Sequence, residues 1–367
     1  MSTNPRIYLD FNATSPLGEP AREAIASALG ELGNPSSIHA EGRQARDRLE
    51  EARNRVAGLF GRPREQVVFT SGGTEANTLG VRTLGAAAIA RGLPRVVVTS
   101  PIEHPSLVAA VEALGWERRL LDVTPGGAIA VGSLAGAGLL AVAAVNHELG
   151  TVLDPRLIAN ARAAGVLIHV DAVQAAGKQA LAIDADALAI SAHKLGGPQG
   201  VGAVALAIDA DTASGGHQER GRRGGTENTL GIVGFGAAAE AIDLSAWPAV
   251  VALGERLEAG LRAIAGVRIH GAGVTRIGGT INAGFSGARG EAIVIALDLA
   301  GVAVSTGAAC TSGTLQPSPV LRALGQSADE AREAVRFSLG RSTTAAEIDR
   351  VLALLPDIVE RARRHRA

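Results

Sequence analysis

The chain has 367 residues, a net charge of −1 and a hydrophobic share of 47 %, of which aromatic residues make up only 2 % of the chain. That length suits one large domain or two of ordinary size, with a core filled by Ala, Val, Leu and Ile. Interspersed acids and bases exclude a nucleic-acid footprint, no apolar run nears the roughly 20 residues of a membrane span, and the opening MSTNPRIYLD has no apolar signal region. A single cysteine excludes an internal disulfide and suits the reducing cytoplasm.

In chain order, residues 66–70 read as a strand, and Gly72-Gly73-Thr74-Glu75 then opens a helix to about residue 84. Further strands are expected at 95–99, 139–145, 166–170, 187–190 and 202–208, with helical stretches such as 155–164 between them. Nearly continuous apolar strands alternating with helices predict an α/β fold with a mainly parallel sheet covered on both faces. Sites in such sheets form at the carboxyl ends of the strands. Beyond residue 234 the pattern changes. Helices are expected at 237–244 and 250–265, interrupted near Ala246-Trp247-Pro248, then strands at 267–270 and 279–285 and helices at 291–299, 327–333 and 345–363. Residues 15–245 are thus expected to form a large α/β domain, and residues 1–14 with 246–367 a smaller α+β domain.

The chain has only two lysines, and one of them, Lys194, lies in Ser191-Ala192-His193-Lys194-Leu195-Gly196-Gly197-Pro198. A lysine acts as an imine-forming nucleophile only when it is held, partly desolvated, beside a carbonyl. The glycines and proline fix a turn without bulk, and Ser191 and His193 are placed to donate to a phosphate. The strand at 166–170 runs into His169-Val170-Asp171-Ala172-Val173-Gln174. An acid and an amide three residues apart share one face of a helical turn. Asp171 there suits the protonated nitrogen of a pyridine cofactor, which turns the ring into an electron sink, and Gln174 suits the ring's phenolic oxygen; equally, Asp171 suits a helix cap. One strand–helix–strand unit brings Lys194 beside Asp171 on the same sheet edge.

Ser71-Gly72-Gly73-Thr74-Glu75 follows a strand and opens a helix, which makes either an anion site of backbone N–H groups or an ordinary βα turn. His104, in Glu103-His104-Pro105-Ser106, follows another strand and offers an imidazole to stack on a ring or relay a proton. Asn146, in Val145-Asn146-His147-Glu148, sits at a third strand end. The only cysteine, Cys310, lies in Ser305-Thr306-Gly307-Ala308-Ala309-Cys310-Thr311-Ser312-Gly313. A free cysteine is most often a small buried hydrophobe, but the glycines and polar neighbours favour a mobile nucleophile. The histidines lack metal-ligand spacing.

This ordered set resembles the cysteine desulfurases, a branch of the class V, fold-type I pyridoxal-phosphate transferases. The resemblance runs from Tyr8-Leu9-Asp10-Phe11-Asn12 through the motifs above and Arg223-Gly224-Gly225-Thr226-Glu227-Asn228 to Arg336-Phe337-Ser338-Leu339-Gly340-Arg341. It implies that Lys194 holds pyridoxal 5′-phosphate covalently, that Asp171 pairs with the ring nitrogen and Gln174 with the phenolic oxygen, and that Gly73, Thr74, Ser191 and His193 hold the phosphate. Thr226 would add a phosphate contact from the other subunit of a homodimer, and His104 would stack over the ring. Asn146, also counted among the cofactor-binding residues, and Arg336 would bind the carboxylate of L-cysteine, with Asn12 nearby. Cys310 would take the sulfur as a persulfide, in the manner of the long-loop group, leave L-alanine, and pass the sulfur to an acceptor protein such as an iron–sulfur assembly or thiolation partner. Beyond a transient iron–sulfur ligand at Cys310, no metal, nucleic acid or membrane is implied. A selenocysteine lyase or a class V aminotransferase would share the fold. Two departures stand out. Pro319 replaces the His or Tyr often found there, and the chain stops at Ala367 without the C-terminal extension with which longer relatives dock an iron–sulfur scaffold.

Overall fold

The computed structural model describes residues 6–210, 215–307 and 316–364. Cys310 lies outside them. The described strands are β1 (Ile7–Tyr8), β2 (Val67–Thr70), β3 (Val96–Thr99), β4 (Glu117–Leu120), β5 (Leu139–Ala143), β6 (Leu167–Asp171), β7 (Ala187–Ser191), β8 (Gly202–Leu206), β9 (Val267–His270), β10 (Thr280–Phe285), β11 (Val302–Ala303) and β12 (Ala334–Ser338).

Seven of them form one sheet in the order β2-β8-β7-β6-β5-β3-β4. The pairings from β7 through β6, β5 and β3 to β4 are parallel, while β8 runs antiparallel to both β7 and β2. The expected, mainly parallel sheet is therefore present. Its inner strands are buried along their length, as their unbroken apolar runs require. The sequence reading missed β4. Its residues, Glu117-Arg118-Arg119-Leu120, are polar because it is an edge strand, and charge on an edge discourages further pairing.

Register fixes the geometry of the site. Asp171, the last residue of β6, lies opposite Ala143 of β5 and Ala189 of β7. Helix Gly73–Ala90 follows β2 and packs across the sheet, close enough that a Cβ on Gly80 would lie 2.5 Å from Nδ1 of His169. The expected helix between β6 and β7 is absent. Residues 172–186 run as turns and irregular loop, with Gly177 at φ +76° in a left-handed conformation that a helix does not tolerate. The two strands are still parallel neighbours, so Asp171 and Lys194 share an edge as expected.

β12, β10 and β9 form an antiparallel three-stranded sheet, and β1 pairs in parallel with β11. The break expected near residue 246 separates helix Thr229–Glu240 from helix Trp247–Arg262, whose first turn holds Pro248. An isolated bridge ties Asp10 to Ser338 at the end of β12, and the backbone N–H of Asn12 donates to Ser338 Oγ at 3.0 Å. The N-terminal segment thereby reaches the carboxyl ends of the large sheet: Ser15 N–H donates to the carbonyl of His193 at 2.7 Å.

Candidate active site

The carboxyl ends of β6 and β7, the start of helix Gly73–Ala90 and the loop after β3 enclose a cavity of about 240 Å³. Gly73, Thr74, His104, Asp171, Gln174, Ser191, His193 and Lys194 all line it. These eight residues, singled out from separate stretches of the sequence, meet because strand ends converge. Asn12, Asn146, Thr226 and Arg336 do not line this cavity.

The amine of Lys194 donates to two backbone carbonyls, Asn12 at 2.5 Å and Ala13 at 2.7 Å. Burial pushes its pKa down to about 8, helped by the charge of Arg336 and opposed by Asp10 and Asp171. Asp171 accepts from Asn77 Nδ2 at 2.7 Å and from the backbone N–H of Val173 at 2.9 Å. Asn77 is oriented in turn by His169, whose Nε2 meets Asn77 Oδ1 at 3.0 Å. Because Asn77 Oδ1 only accepts, His169 carries its proton on Nε2. Burial holds the His169 pKa at about 3, so the ring stays neutral.

The anion end of the cavity is built from backbone and hydroxyl. Helix Gly73–Ala90 aims its first N–H groups there. A Cβ at residue 73 would lie 2.9 Å from Val173 Cγ2 and 3.4 Å from Ser191 Cβ, so only glycine leaves this approach open. Ser191 Oγ is buried and has no hydrogen-bond partner among the described residues. A buried hydroxyl without a partner is costly unless a ligand satisfies it. His193 Nδ1 lies 3.1 Å from Thr14 Oγ1, and burial beside Lys194 pushes its pKa down to about 4.

His104 caps helix Pro105–Glu112: its Nδ1 accepts from the backbone N–H of Ser106 at 3.1 Å. That leaves Nε2 as the ring nitrogen without a hydrogen bond among the described residues. Its ring packs edge-on against His147, with centroids 5.0 Å apart. Burial lowers the pKa of both histidines, and that of His147 falls well below the ordinary value.

The remaining expected residues make contacts of their own outside the cavity lining. Asn146 Oδ1 accepts from the N–H groups of Glu148 and Leu149, and its Nδ2 donates to the carbonyl of Ile102, so its side chain anchors a turn. Asn12 Nδ2 donates to the carbonyl of His147 and to Thr280 Oγ1. Arg336 donates to the carbonyl of His147 at 3.0 Å and to Asp10 Oδ1 at 2.8 Å, while its buried Nε has no partner among the described residues. Thr226 is exposed. The sequence reading gave no role to Asn77, His147 or Lys178. The second lysine of a chain that contains only two was the one available signal among them.

A family model described as Aminotransferase class-V matches residues 7–351. The chain belongs to this family. A protein named cysteine desulfurase from Cereibacter sphaeroides is 42 % identical over 98 % of this chain and 97 % of its own length. A solved structure titled NifS-like protein superposes with a TM-score of 0.86 at 29 % identity, covering 97 % of this chain and 98 % of its own. Another, titled SspA in complex with cysteine, gives a TM-score of 0.78 at 27 % identity, over 92 % of this chain and 100 % of that one. The family's fold is fold-type I, and its cofactor is pyridoxal 5′-phosphate. The cavity suits that group on its own terms. It offers an amine for covalent attachment, a carboxylate oriented by Asn77, an unpartnered buried hydroxyl, and a helix start that only glycine leaves open.

Proposed function

We propose that this class V family member is a cysteine desulfurase, which takes sulfur from L-cysteine, leaves L-alanine, and passes the sulfur through a persulfide on Cys310 to an acceptor protein. The observation that carries the assignment of the centre is Lys194 itself: a desolvated amine in one cavity with Asp171 and the unpartnered hydroxyl of Ser191. When bound, pyridoxal 5′-phosphate supplies an electron sink that labilises the Cα proton of cysteine and weakens its Cβ–S bond.

The protein's part is positioning and proton transfer. Lys194 attaches the cofactor and then serves as the base that moves the substrate's Cα proton; an amine of pKa about 8 is matched to that task near neutral pH. With the cofactor bound, Asp171 would keep a proton on the ring nitrogen. Gly73, Thr74, Ser191 and His193 would hold the phosphate, with Thr226 added from a second copy of the chain in a homodimer. His104 would stack on the ring. The guanidinium of Arg336 receives the substrate carboxylate, with Asn12 and Asn146 beside it. The thiolate of Cys310 attacks the substrate sulfur. An S–S bond forms, the Cβ–S bond breaks, and its electron pair passes with a proton to the carbon that becomes the methyl group of alanine.

The enzyme is placed in the cytoplasm. The chain divides at about residue 245 into a cofactor-binding unit, 15–245, and a smaller unit, 1–14 with 246–367, that carries Cys310.

The test is direct. Purified protein supplied with pyridoxal 5′-phosphate should show a visible band, and borohydride should fix a pyridoxyl adduct on Lys194. Cys310→Ser should keep the band and lose persulfide formation. A serine variant that released sulfide at the wild-type rate would exclude this chemistry. Alanine formation at the wild-type rate from selenocysteine alone would point instead to a selenocysteine lyase.

A further inference from the structure

Lys178 has no part in the chemistry proposed above, yet it is buried within one hydrogen bond of the site. Its amine donates to Asn12 Oδ1 at 2.9 Å and to Gln174 Oε1 at 3.0 Å. It also lies 5.8 Å from the centre of the Trp247 ring. A lysine left in such a place without purpose is costly, because burial disfavours its charge. Burial, with the charges of Lys194 and Arg336, pushes its pKa down to about 7. A charged amine has three N–H donors and a neutral one has two. Both forms therefore supply the two oxygens that face it.

What this contact decides is the direction of an amide. The two ends of a glutamine amide have nearly the same shape, so hydrogen-bond partners alone determine which end points where. Gln174 Nε2 donates to the carbonyl of Asn12 at 3.0 Å. Turning the amide over would set its NH₂ against the donors of Lys178 and its oxygen against the oxygen of Asn12. The exchange at Asn12 sets oxygen against oxygen whatever the state of Lys178, and the exchange at Lys178 sets donor against donor while its amine is charged. Asn12 is held by the same logic. Its Oδ1 faces Lys178, its Nδ2 faces two acceptors, and its carbonyl receives Lys194 as well as Gln174. With Gln174 Oε1 held by Lys178, the second hydrogen of Nε2 is the donor that this side chain has left for the cavity it lines.

We propose that Lys178 is a positioning residue: it locks the amide of Gln174 with its N–H toward the phenolic oxygen of bound pyridoxal 5′-phosphate. The role presupposes the cofactor assignment above, and the experiment separates the two. The readout is the pH midpoint of the visible absorption change of the bound cofactor, measured without substrate. A donor to the phenolic oxygen stabilises the form in which that oxygen carries its full charge, and so lowers the midpoint. Lys178→Met removes the lock, and the midpoint should rise by about one pH unit, the scale of one hydrogen bond to a charged group. Lys178→Gln, which keeps an N–H donor, should rise less, and it serves as the test variant if Lys178→Met does not fold.

The decisive comparison is made in a Gln174→Ala background. There the Lys178 substitution should shift the midpoint by less than about a third of its effect in wild type, because coupled residues are not additive. An unchanged midpoint in the single variant would overturn the proposal. So would an equal shift with and without Gln174, which would mean that Lys178 acts only through its charge. A wild-type protein that took up no pyridoxal 5′-phosphate would refute the cofactor assignment instead.

Discussion

The amine of Lys194 rests 2.5 Å from the carbonyl oxygen of Asn12, a residue 182 positions earlier in the chain. The contact joins the end of the large sheet to the N-terminal segment. That segment is itself fastened to β12, through the bond from the backbone of Asn12 to Ser338 Oγ. Two carbonyl oxygens hold the amine ready, and burial shifts it toward the neutral, nucleophilic form.

The first prediction follows from that shift. Only the unprotonated amine attacks an aldehyde, so the rate of cofactor uptake by apoprotein should rise with pH through a midpoint near 8 rather than near 10.5. Stopped-flow absorbance after adding pyridoxal 5′-phosphate measures it. A midpoint above 10 would show that the amine is not desolvated.

Ser191 Oγ is buried without a partner among the described residues, so it contributes nothing to the apoprotein that a methyl group would not. Ser191→Ala should leave the thermal midpoint of apoprotein unchanged or slightly raised. It should weaken cofactor binding about tenfold, the worth of one hydrogen bond to a charged phosphate. Calorimetry of the apo form, paired with equilibrium dialysis of the cofactor, separates the two effects. Destabilised apoprotein with undiminished cofactor affinity would be the contrary result.

Arg53 and Glu219 form a buried bidentate pair at 2.6 and 2.8 Å, and Glu219 also accepts from the backbone N–H of Phe69 at 2.8 Å. Glu219 and Arg220 have left-handed backbones, φ +48° and +59°, which non-glycine residues adopt only under constraint. The pair supplies that constraint, and the segment it pins leads to Thr226. Arg53→Met should cost about 3–5 kcal/mol in denaturant unfolding, because it leaves a buried carboxylate unpaired. A cost below about 1 kcal/mol would mean that the pair is not what holds the segment.

Glu103 is buried, accepting from Ser100 Oγ at 2.6 Å and from the N–H of Ala143 at 2.9 Å. Burial pushes its pKa up to about 8 from 4.5, against the lowering effect of those two hydrogen bonds. The folded state therefore keeps a proton that the unfolded chain releases above pH 4.5, so this group's contribution is complete below 4.5 and is lost as the pH rises through 8. Glu103→Gln has no such proton to lose. Its stability relative to wild type should increase steadily between pH 5 and pH 8 in parallel urea titrations. A constant difference would show that Glu103 is ionised throughout.

Much of this was legible in the chain. The strands β6, β7 and β8 announce themselves as apolar runs, because a strand covered on both faces admits little else. Lys194 and Asp171 were recognisable because the fold places chemistry just past strand ends. The edge strand β4 was not legible, since its composition answers to solvent rather than to a core. Nor was the loop between β6 and β7: three residues of turn look the same on paper whether or not a helix follows.

The sequence by itself determined which residue types were available and on which strand each would end: one amine, one acid and one small-residue anion site, in a fixed order along a mainly parallel sheet. Only the tertiary structure decided how those groups are oriented. That Asn12 would take three donors, that His169 would turn Asn77 toward Asp171, and that Lys178 would face Gln174 depend on contacts between residues 4 to 182 positions apart. Hydrophobic periodicity is a local property and fixes elements. The direction of a buried hydrogen bond is set by whichever partner packing brings within 3 Å, and no local pattern encodes that.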